Sequence, residues 1–173
     1  QDVFNEVKIF CKSQQLSCRE KKSYNGVPQL VLGKNKWFRE FLCRCGVEKG
    51  EQKQIARSLM YLDLEKAASL LQGLFDTDGY VNKLHNVGFS NISEKLIKQI
   101  QKLLLRFGIV TYIRKRNPSL MKIYEKEYKT KEYYELLITQ KKSILDFYRH
   151  VGFFAEEEIV KLFETKNVKP VKN

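Results

Sequence analysis

Apolar residues recur at helical spacing between residues 64 and 77, and an acidic stretch follows at once. They stand at i, i+3, i+4, i+7, i+10 and i+11, which share one face of an α-helix: Leu64, Ala67, Ala68, Leu71, Leu74 and Phe75. Residues 65–74, EKAASLLQGL, contain good helix formers, and none is β-branched. The pattern predicts a buried helix over 64–77, which an Asp-Gly pair stops at Asp78.

One order of elements is predicted twice along the chain. In each copy a helix with apolar residues at helical spacing, over 4–18 and over 97–111, precedes a basic segment. An apolar strand (QLVLG, then ELLIT) and a helix with aromatic residues (KNKWFREFLCRCGV, then QKKSILDFYRHVGF) follow. Only the second copy starts with the 64–77 helix and two strands, GYVNK and VGFSNIS. We therefore predict a mixed α/β fold of αββαββα repeats whose first repeat is incomplete.

These patterns divide the chain into four predicted parts. Residues 1–50 hold the second half of a first repeat (helix, two strands, helix), 51–63 a linker, 64–165 the complete second repeat and 166–173 a C-terminal tail. The second copy also carries an insertion within 117–131, which is rich in Lys and Tyr. This insertion is either a lengthened basic hairpin of the kind that reads the major groove or a solvated, partly mobile loop.

The charge balance is strongly basic, with 32 Lys and Arg residues against 20 acidic ones and a net charge of +12. Such an excess favours a polyanionic partner, usually nucleic acid, although many soluble proteins are basic without one. Aliphatic and aromatic residues are plentiful enough to build a core, which disfavours a disordered chain. No apolar run has the length that a membrane span requires.

The cysteines and histidines do not form a metal-binding pattern. Cys11, Cys18, Cys43 and Cys45 include no C-x-x-C pair, and the chain has only two histidines. A zinc site is therefore not expected. The first residues do not have the pattern of a signal peptide, so we expect reduced, buried thiols and an intracellular location, in the cytoplasm or an organelle.

The acidic stretch FDTDG, 75–79, has several chemical interpretations. After a strand it would resemble the nucleophile loop of haloacid-dehalogenase-type phosphatases, but the helical spacing and Tyr80 disfavour this class. An EF-hand requires its glycine as the sixth loop residue, whereas Gly79 is the fourth from Asp76. Carboxylates at a helix C-terminus oppose the macrodipole, so the acids either bind a cation or form an ordinary Asp-Gly turn.

The stretch LLQGLFDTDG, 70–79, resembles the LAGLIDADG motif of homing endonucleases, particularly the endonuclease domains embedded in inteins. The matching residues are Leu71, Gly73, Leu74, Asp76, Asp78 and Gly79. The downstream sequences NISEKLIKQIQKLLLRFGIVTYIRKR and FYRHVGF are also similar to family segments, so the likeness covers about residues 4–165. The resemblance implies a LAGLIDADG homing-endonuclease fold, in which two repeats form a saddle about a pseudo-twofold axis.

The resemblance also implies roles for individual residues. Asp78 stands in the place of the catalytic acid that binds a divalent metal, Mg²⁺, and Gly79 would belong to the same metal site. Asp76 and Gly73 match structural positions of the motif. Lys53 matches a basic residue before the second motif of two-motif enzymes, where it would stabilise phosphate charge or orient water and thus count as catalytic.

The family binds double-stranded DNA on the strands of the saddle, where alternate residues face the duplex. Candidate contacts lie in the basic strand segments and at the start of the last helix: Arg19, Lys21, Arg114, Lys115, Arg116, Lys141 and Lys142. Each of them is either a DNA contact or a solvated charge at a sheet edge.

The chain departs from the two-motif pattern because it has no second LAGLIDADG-like sequence. Three accounts stay open: part of a larger endonuclease or intein, a degenerate relative that binds DNA without cutting, or an intron maturase that acts on RNA. We expect little double-strand cleavage by this chain alone. We also expect a partner segment or chain to supply a second motif helix, or self-association through Leu71, Leu74 and their neighbours.

Overall fold

The computed structural model describes residues 3–23, 26, 28–123, 126–129 and 131–153. The elements of the first part are α1 (Val3–Ser13), β1 (Cys18–Lys22), β2 (Pro28–Leu32) and α2 (Lys36–Arg44). The second part consists of α3 (Leu64–Asp78), β3 (Gly79–Val81), β4 (Val87–Asn91), α4 (Glu94–Leu105), β5 (Tyr112–Arg116), β6 (Leu120–Ile123), β7 (Lys126–Lys129), β8 (Tyr133–Ile138) and α5 (Lys141–His150). The predicted mixed α/β class is confirmed, and all described strand pairs are antiparallel.

The predicted motif helix forms as α3, and it ends at Asp78 as predicted. The side chain of Asp63 caps its first turn by accepting the Lys66 N–H at 2.9 Å. Three residues of the predicted apolar stripe, Ala67, Leu71 and Phe75, are fully buried. Leu64 is 52% exposed, so the buried stripe begins one turn later than predicted.

The burial of Leu71 corrects one expectation about self-association. This side chain is 0% exposed because it packs into the core of its own repeat. Leu70 and Leu74, one on either side of it in sequence, are half-buried and lie at the edge of that core. A second helix packed on α3 would therefore contact Leu70 and Leu74 rather than Leu71.

The main sheet has four antiparallel strands in the order β3-β4-β8-β5. Side chains alternate between its two faces, as strand geometry requires. One face packs on the helices through a buried cluster that includes Val87, Phe89, Leu136 and Ile138. The strand registers place another set on the opposite face, which we call the open face: Tyr80, Gly88, Ser90, Tyr112, Arg114, Arg116, Tyr133, Glu135 and Leu137.

The first part of the chain is covered less well than the second. Its strands β1 and β2 form a separate two-stranded sheet. In the second part, the α4 residues Ile97 and Ile100 are 0% exposed because α3 and β4 pack on that helix. Comparable apolar residues of α1 and α2 are open to solvent, with Phe10 at 45% and Phe41 at 49% exposed. The apolar faces of α1 and α2 are therefore less covered than that of α4.

The insertion in the second repeat contains a hairpin rather than an irregular loop. Strands β6 and β7 pair with each other from Leu120↔Lys129 to Ile123↔Lys126. Two short 3₁₀ turns, Gly50–Gln52 and Arg57–Tyr61, lie at the predicted linker 51–63. The division of the chain into domains stays a prediction, and the predicted end of the second repeat at 165 and the tail 166–173 lie outside the described residues.

The cysteines agree only in part with the expectation of reduced, buried thiols. All four are free, but Cys11 alone is buried, whereas Cys43 is exposed. None of the helices in the described part of the chain combines the length and apolar character needed to cross a membrane.

Candidate active site and nucleic-acid interface

Asp78 is the last residue of α3, and its side chain is exposed. The chain passes directly from this helix into β3 because residue 79 is a glycine. A Cβ at Gly79 would lie 2.4 Å from the Phe75 carbonyl oxygen and 2.9 Å from Cδ1 of the Phe75 ring. Any side chain at residue 79 would thus push β3 away from α3 and displace Asp78 from the end of the helix.

A chain of hydrogen bonds connects Asp78 to Lys53. Asn91 Nδ2 donates to Asp78 Oδ2 at 3.3 Å, and Asn91 Oδ1 accepts the Ser93 N–H at 3.1 Å. Ser93 Oγ donates to the Lys53 carbonyl oxygen at 2.6 Å and accepts the Leu96 N–H at the start of α4. Asn91 and Ser93 are 8% and 0% exposed. Two buried residues therefore fix the Lys53 backbone relative to the Asp78 carboxylate.

Asp78 and Lys53 also line the same groove, which has a volume of about 260 Å³. Leu70, Leu74 and Thr77 of α3 form one wall of it, and the segment that includes Gly46 and Ile55 forms the other. Lys53 is half-buried there. The structure thus brings together the two residues that the sequence predicts to be catalytic, although their catalytic roles stay predictions.

The predicted structural residues of the motif have different surroundings. Asp76 is half-buried near the end of α3. Gly73 is exposed in the middle of the same helix, and a Cβ there would have no neighbour within 4 Å. Glycine in a helix interior costs about 1 kcal/mol relative to alanine. Nothing in the described part of the chain requires that cost at residue 73.

The residues at the predicted metal site suit a hard cation whose coordination shell is completed by other ligands. Asp78 would supply a carboxylate, and Gly79 a backbone carbonyl, as the two predicted ligands. Mg²⁺ takes such oxygen donors and is commonly bound by one or two carboxylates together with phosphates. Among the described residues no group of three or more His, Cys, Asp or Glu side chains is placed to hold a metal ion by itself. The predicted donors therefore fit a divalent ion that phosphate oxygens help to hold.

A buried carboxylate on the open face holds two arginines. Glu135 Oε2 accepts from Arg114 Nη2 at 3.0 Å, from Arg114 Nε at 3.3 Å and from Arg116 Nε at 2.6 Å. Its other oxygen accepts from the Tyr80 hydroxyl at 3.3 Å. Burial by itself would raise the pKa of Glu135, but the hydrogen bonds from Arg116 and Arg114 outweigh it and hold this pKa below its ordinary value.

Sequence reasoning missed both Asn91 and Glu135. For Glu135 a signal exists, because it is a single acid within the apolar strand YYELLI. Its partners could not be identified from that signal, because they depend on the register between β5 and β8. Asn91 has no comparable signal in the sequence.

The structure separates the three basic residues of β5. Arg114 and Arg116 share the open face, whereas Lys115 points to the opposite face together with Ile113. There the Lys115 ammonium pairs with Glu132 at 2.9 Å. The prediction grouped Lys115 with the two arginines, and the structure does not, because successive residues of a strand face opposite sides.

Lys141 and Lys142 lie far from the predicted metal site along the sheet. They begin α5, which follows the Ile138 end of β8, whereas Asp78 contacts Asn91 at the opposite end of the paired strands. Lys142 also forms an i,i+4 pair with Asp146 at 2.8 Å. Contacts from these lysines would therefore be made away from Asp78.

Arg19 and Lys21 are exposed and alternate along β1. The residue between them, Glu20, pairs with Lys8 of α1. Arg19 and Lys21 therefore point away from α1, as Arg114 and Arg116 point away from the helices of the second repeat.

Comparison with known proteins gives matches over most of the chain. A model of the LAGLIDADG-like domain matches residues 65–152. The ATP-dependent DNA helicase Hel308 of Methanocaldococcus jannaschii is 38% identical over 156 residues, which are 88% of this chain and 13% of the helicase. Glutamine–fructose-6-phosphate aminotransferase of the same organism is 35% identical over 127 residues, 73% of this chain and 11% of that protein. The chain thus spans only a small part of these relatives.

The crystal structure of I-DmoI in complex with DNA and Ca has a similar fold, with a TM-score of 0.60 at 12% identity. The similarity covers 87% of this chain and 67% of that one, and I-DmoI is a homing endonuclease. Both the sequence match and the fold include the helix that ends in the two acids of the motif. The chain therefore belongs to the LAGLIDADG family.

Proposed function

We propose that this chain is part of a site-specific homing endonuclease that hydrolyses phosphodiester bonds of duplex DNA with the help of a divalent metal ion. The observation that carries the proposal is the position of Asp78, which ends the motif helix, is fixed by Asn91 and shares a groove with Lys53. The Asp78 carboxylate and the Gly79 carbonyl would hold the ion, and Lys53 would stabilise negative charge on phosphate. When bound, Mg²⁺ would activate water and stabilise the leaving oxygen.

Duplex DNA is the partner that the surface charge supports. The net charge is +12, and Arg114 and Arg116 lie on a sheet face outside the core cluster. Arg19 and Lys21 are exposed and lie on the side of β1 that points away from α1. I-DmoI, which has this fold, forms a complex with DNA. We assign the open face, together with β1, to contacts with the duplex.

The relatives also support an insertion within a host protein, such as an intein. A DNA helicase and an aminotransferase have unrelated activities, yet each contains a segment similar to most of this chain. In both, the similar segment is a small fraction of the whole length. A mobile endonuclease domain is expected in host proteins of unrelated activity, because it does not take part in the activity of its host.

We further propose that a second motif helix completes the site. Gly73 and the half-buried Leu70 and Leu74 leave a small residue and two apolar side chains accessible on α3. The half-exposed aromatic residues of α1 and α2 also require cover. One helix-strand-strand unit, supplied by the same polypeptide or another one, would cover both surfaces and bring a second acid to Asp78.

The role of Asp78 is tested by metal binding. Mn²⁺ binding to the complex of this chain with duplex DNA is measured by electron paramagnetic resonance. Asp78→Asn should weaken binding by roughly tenfold or more, because loss of even an outer-shell contact costs that much. The matched control is Glu65→Gln, which removes one exposed negative charge from the first turn of the same helix. Equal Mn²⁺ affinity in the wild type and in Asp78→Asn would overturn the assignment.

The choice of partner is tested by the salt dependence of binding. Six or more phosphate contacts should give a log-log slope of about −5 or steeper in a filter-binding titration with duplex DNA. Structured RNA serves as the competitor. A flat slope would contradict a nucleic-acid partner, and preference for the RNA would favour the maturase account. DNA binding with a steep salt dependence, but without cleavage in Mg²⁺ even when a second motif helix is supplied, would favour a degenerate relative that binds DNA without cutting.

A further inference from the structure

We propose that Glu135 and Tyr80 position Arg114 and Arg116 as a paired reader of guanine in the major groove. This inference rests on the proposed binding of duplex DNA and adds a specificity-determining site to it. The three charged groups and the tyrosine form one connected cluster on the open face, which we call the Glu135 cluster.

The Glu135 cluster is not part of the apolar core. Its four residues lie on the sheet face opposite the helices, and none belongs to the core cluster. Glu135 is nevertheless only 8% exposed, because the arginine and tyrosine side chains cover it. A buried ion pair stabilises a fold poorly compared with packed apolar residues. Stability therefore gives little reason for a carboxylate here, whereas holding two guanidinium groups in place gives a direct one.

The hydrogen bonds fix the direction of each arginine. Arg114 uses Nε and Nη2 for Glu135, so the bonded edge of its guanidinium group faces the sheet. Arg116 uses Nε alone, so its terminal nitrogens make no hydrogen bond with Glu135. A guanidinium group fixed in this way loses less side-chain entropy when it binds. Its remaining donors suit guanine, whose O6 and N7 accept a bidentate arginine.

Tyr80 contributes to the base preference by binding the second oxygen of Glu135. Its hydroxyl occupies Glu135 Oε1, while the arginines occupy Oε2. The Tyr80 ring reaches Glu135 across β4 because residue 88 has no side chain. A carboxylate can accept a hydrogen bond from the cytosine amino group, but Glu135 is only 8% exposed and both of its oxygens already accept hydrogen bonds. The groups that the cluster offers to a base are therefore mainly guanidinium donors, which favours guanine.

The opposite face of the same strands provides a matched comparison. Lys115 and Glu132 form a single ion pair at 2.9 Å, with side chains 54% and 44% exposed. Glu132→Gln removes the same charge as Glu135→Gln, but from a pair outside the open face. Any effect of net charge on DNA affinity should thus appear in both variants, and an effect on base preference in Glu135→Gln alone.

The test is selection of binding sites from a randomised duplex library by the wild type, Glu135→Gln and Glu132→Gln. The wild type should enrich guanine at neighbouring positions, and Glu135→Gln should lose a preference of roughly tenfold there. Both variants should bind non-specific DNA more tightly at low salt because each lacks one negative charge. Tyr80→Phe keeps the charge and should weaken the guanine preference less, and thermal melts check that each variant is folded.

Three outcomes overturn the inference. The wild type could show no guanine preference, Glu135→Gln could keep it, or Glu132→Gln could lose it to the same extent. In each of these cases duplex binding by the wild type leaves the proposed function standing. Absence of duplex binding at low salt would instead remove the proposed function and this inference together.

Discussion

Replacing Gly88 by alanine should displace the Tyr80 ring from the open face. A Cβ at residue 88 would lie 2.4 Å from Tyr80 Cζ and 2.7 Å from both Cε2 and the hydroxyl oxygen. These contacts are too short to persist, and Tyr80 is only half-buried, so its ring can rotate toward solvent. The strand backbone itself accepts alanine, because Gly88 is not among the glycines with positive φ.

The expected change in stability is the difference between two effects. Loss of the hydrogen bond from Tyr80 to Glu135 costs about 1.5 kcal/mol, the low end for a charged acceptor, because its length is 3.3 Å. Alanine is favoured over glycine within a strand by about 0.5 to 1 kcal/mol. Gly88→Ala should therefore destabilise the wild type by about 0.5 to 1 kcal/mol. In a Tyr80→Ala background it should instead stabilise by about 0.5 to 1 kcal/mol, since that hydrogen bond is already absent.

Urea unfolding followed by circular dichroism of the four proteins in this cycle measures both values. Gly73→Ala is the control, because a Cβ at residue 73 has no neighbour within 4 Å. It should stabilise by about 1 kcal/mol whether or not Tyr80 is present. Equal destabilisation by Gly88→Ala in the wild type and in Tyr80→Ala would show that the Tyr80 ring does not pack over Gly88. The proposed contact of Tyr80 with Glu135 would then be refuted.

Two further predictions concern the core and the carboxylates. Phe75 is fully buried, with its ring centroid 4.8 Å from that of Phe147, so Phe75→Ala should lower the free energy of unfolding by about 3 to 5 kcal/mol, whereas Leu64→Ala on the exposed first turn should have little effect. The pKa of Asp146 is lowered chiefly by Lys142, and that of Glu135 is low although burial opposes it, so both carboxylates stabilise the fold while ionised. This stabilisation should be complete at a pH above the ordinary pKa values, 3.8 for Asp146 and 4.5 for Glu135. It should be lost as the pH falls through the lowered pKa values of the folded protein. In thermal melts over this pH range, Glu135→Gln should lose less stability than the wild type.

The elements of the fold could be predicted from the sequence because each depends on local spacing. The helix of the motif followed from apolar residues on one face, and its C-terminal end from the Asp-Gly pair. The repeat of helix, strand, strand and helix was also visible, because each of these elements has its own period of apolar residues. Leu64 was assigned to the buried stripe wrongly, since spacing fixes a face of the helix but not how far the core extends along it.

The amino-acid sequence by itself thus determined the αββαββα elements, the acid at the end of the motif helix and the basic character of the strands. Only the tertiary structure decided which side chains meet. The register of β5 against β8 brings Arg114 and Arg116 to Glu135 and turns Lys115 to the other face. Packing of the 45–59 segment beside α3 and α4 brings Lys53 to the groove of Asp78. These contacts join residues that are remote in sequence, so no local pattern of hydrophobic and polar positions contains them.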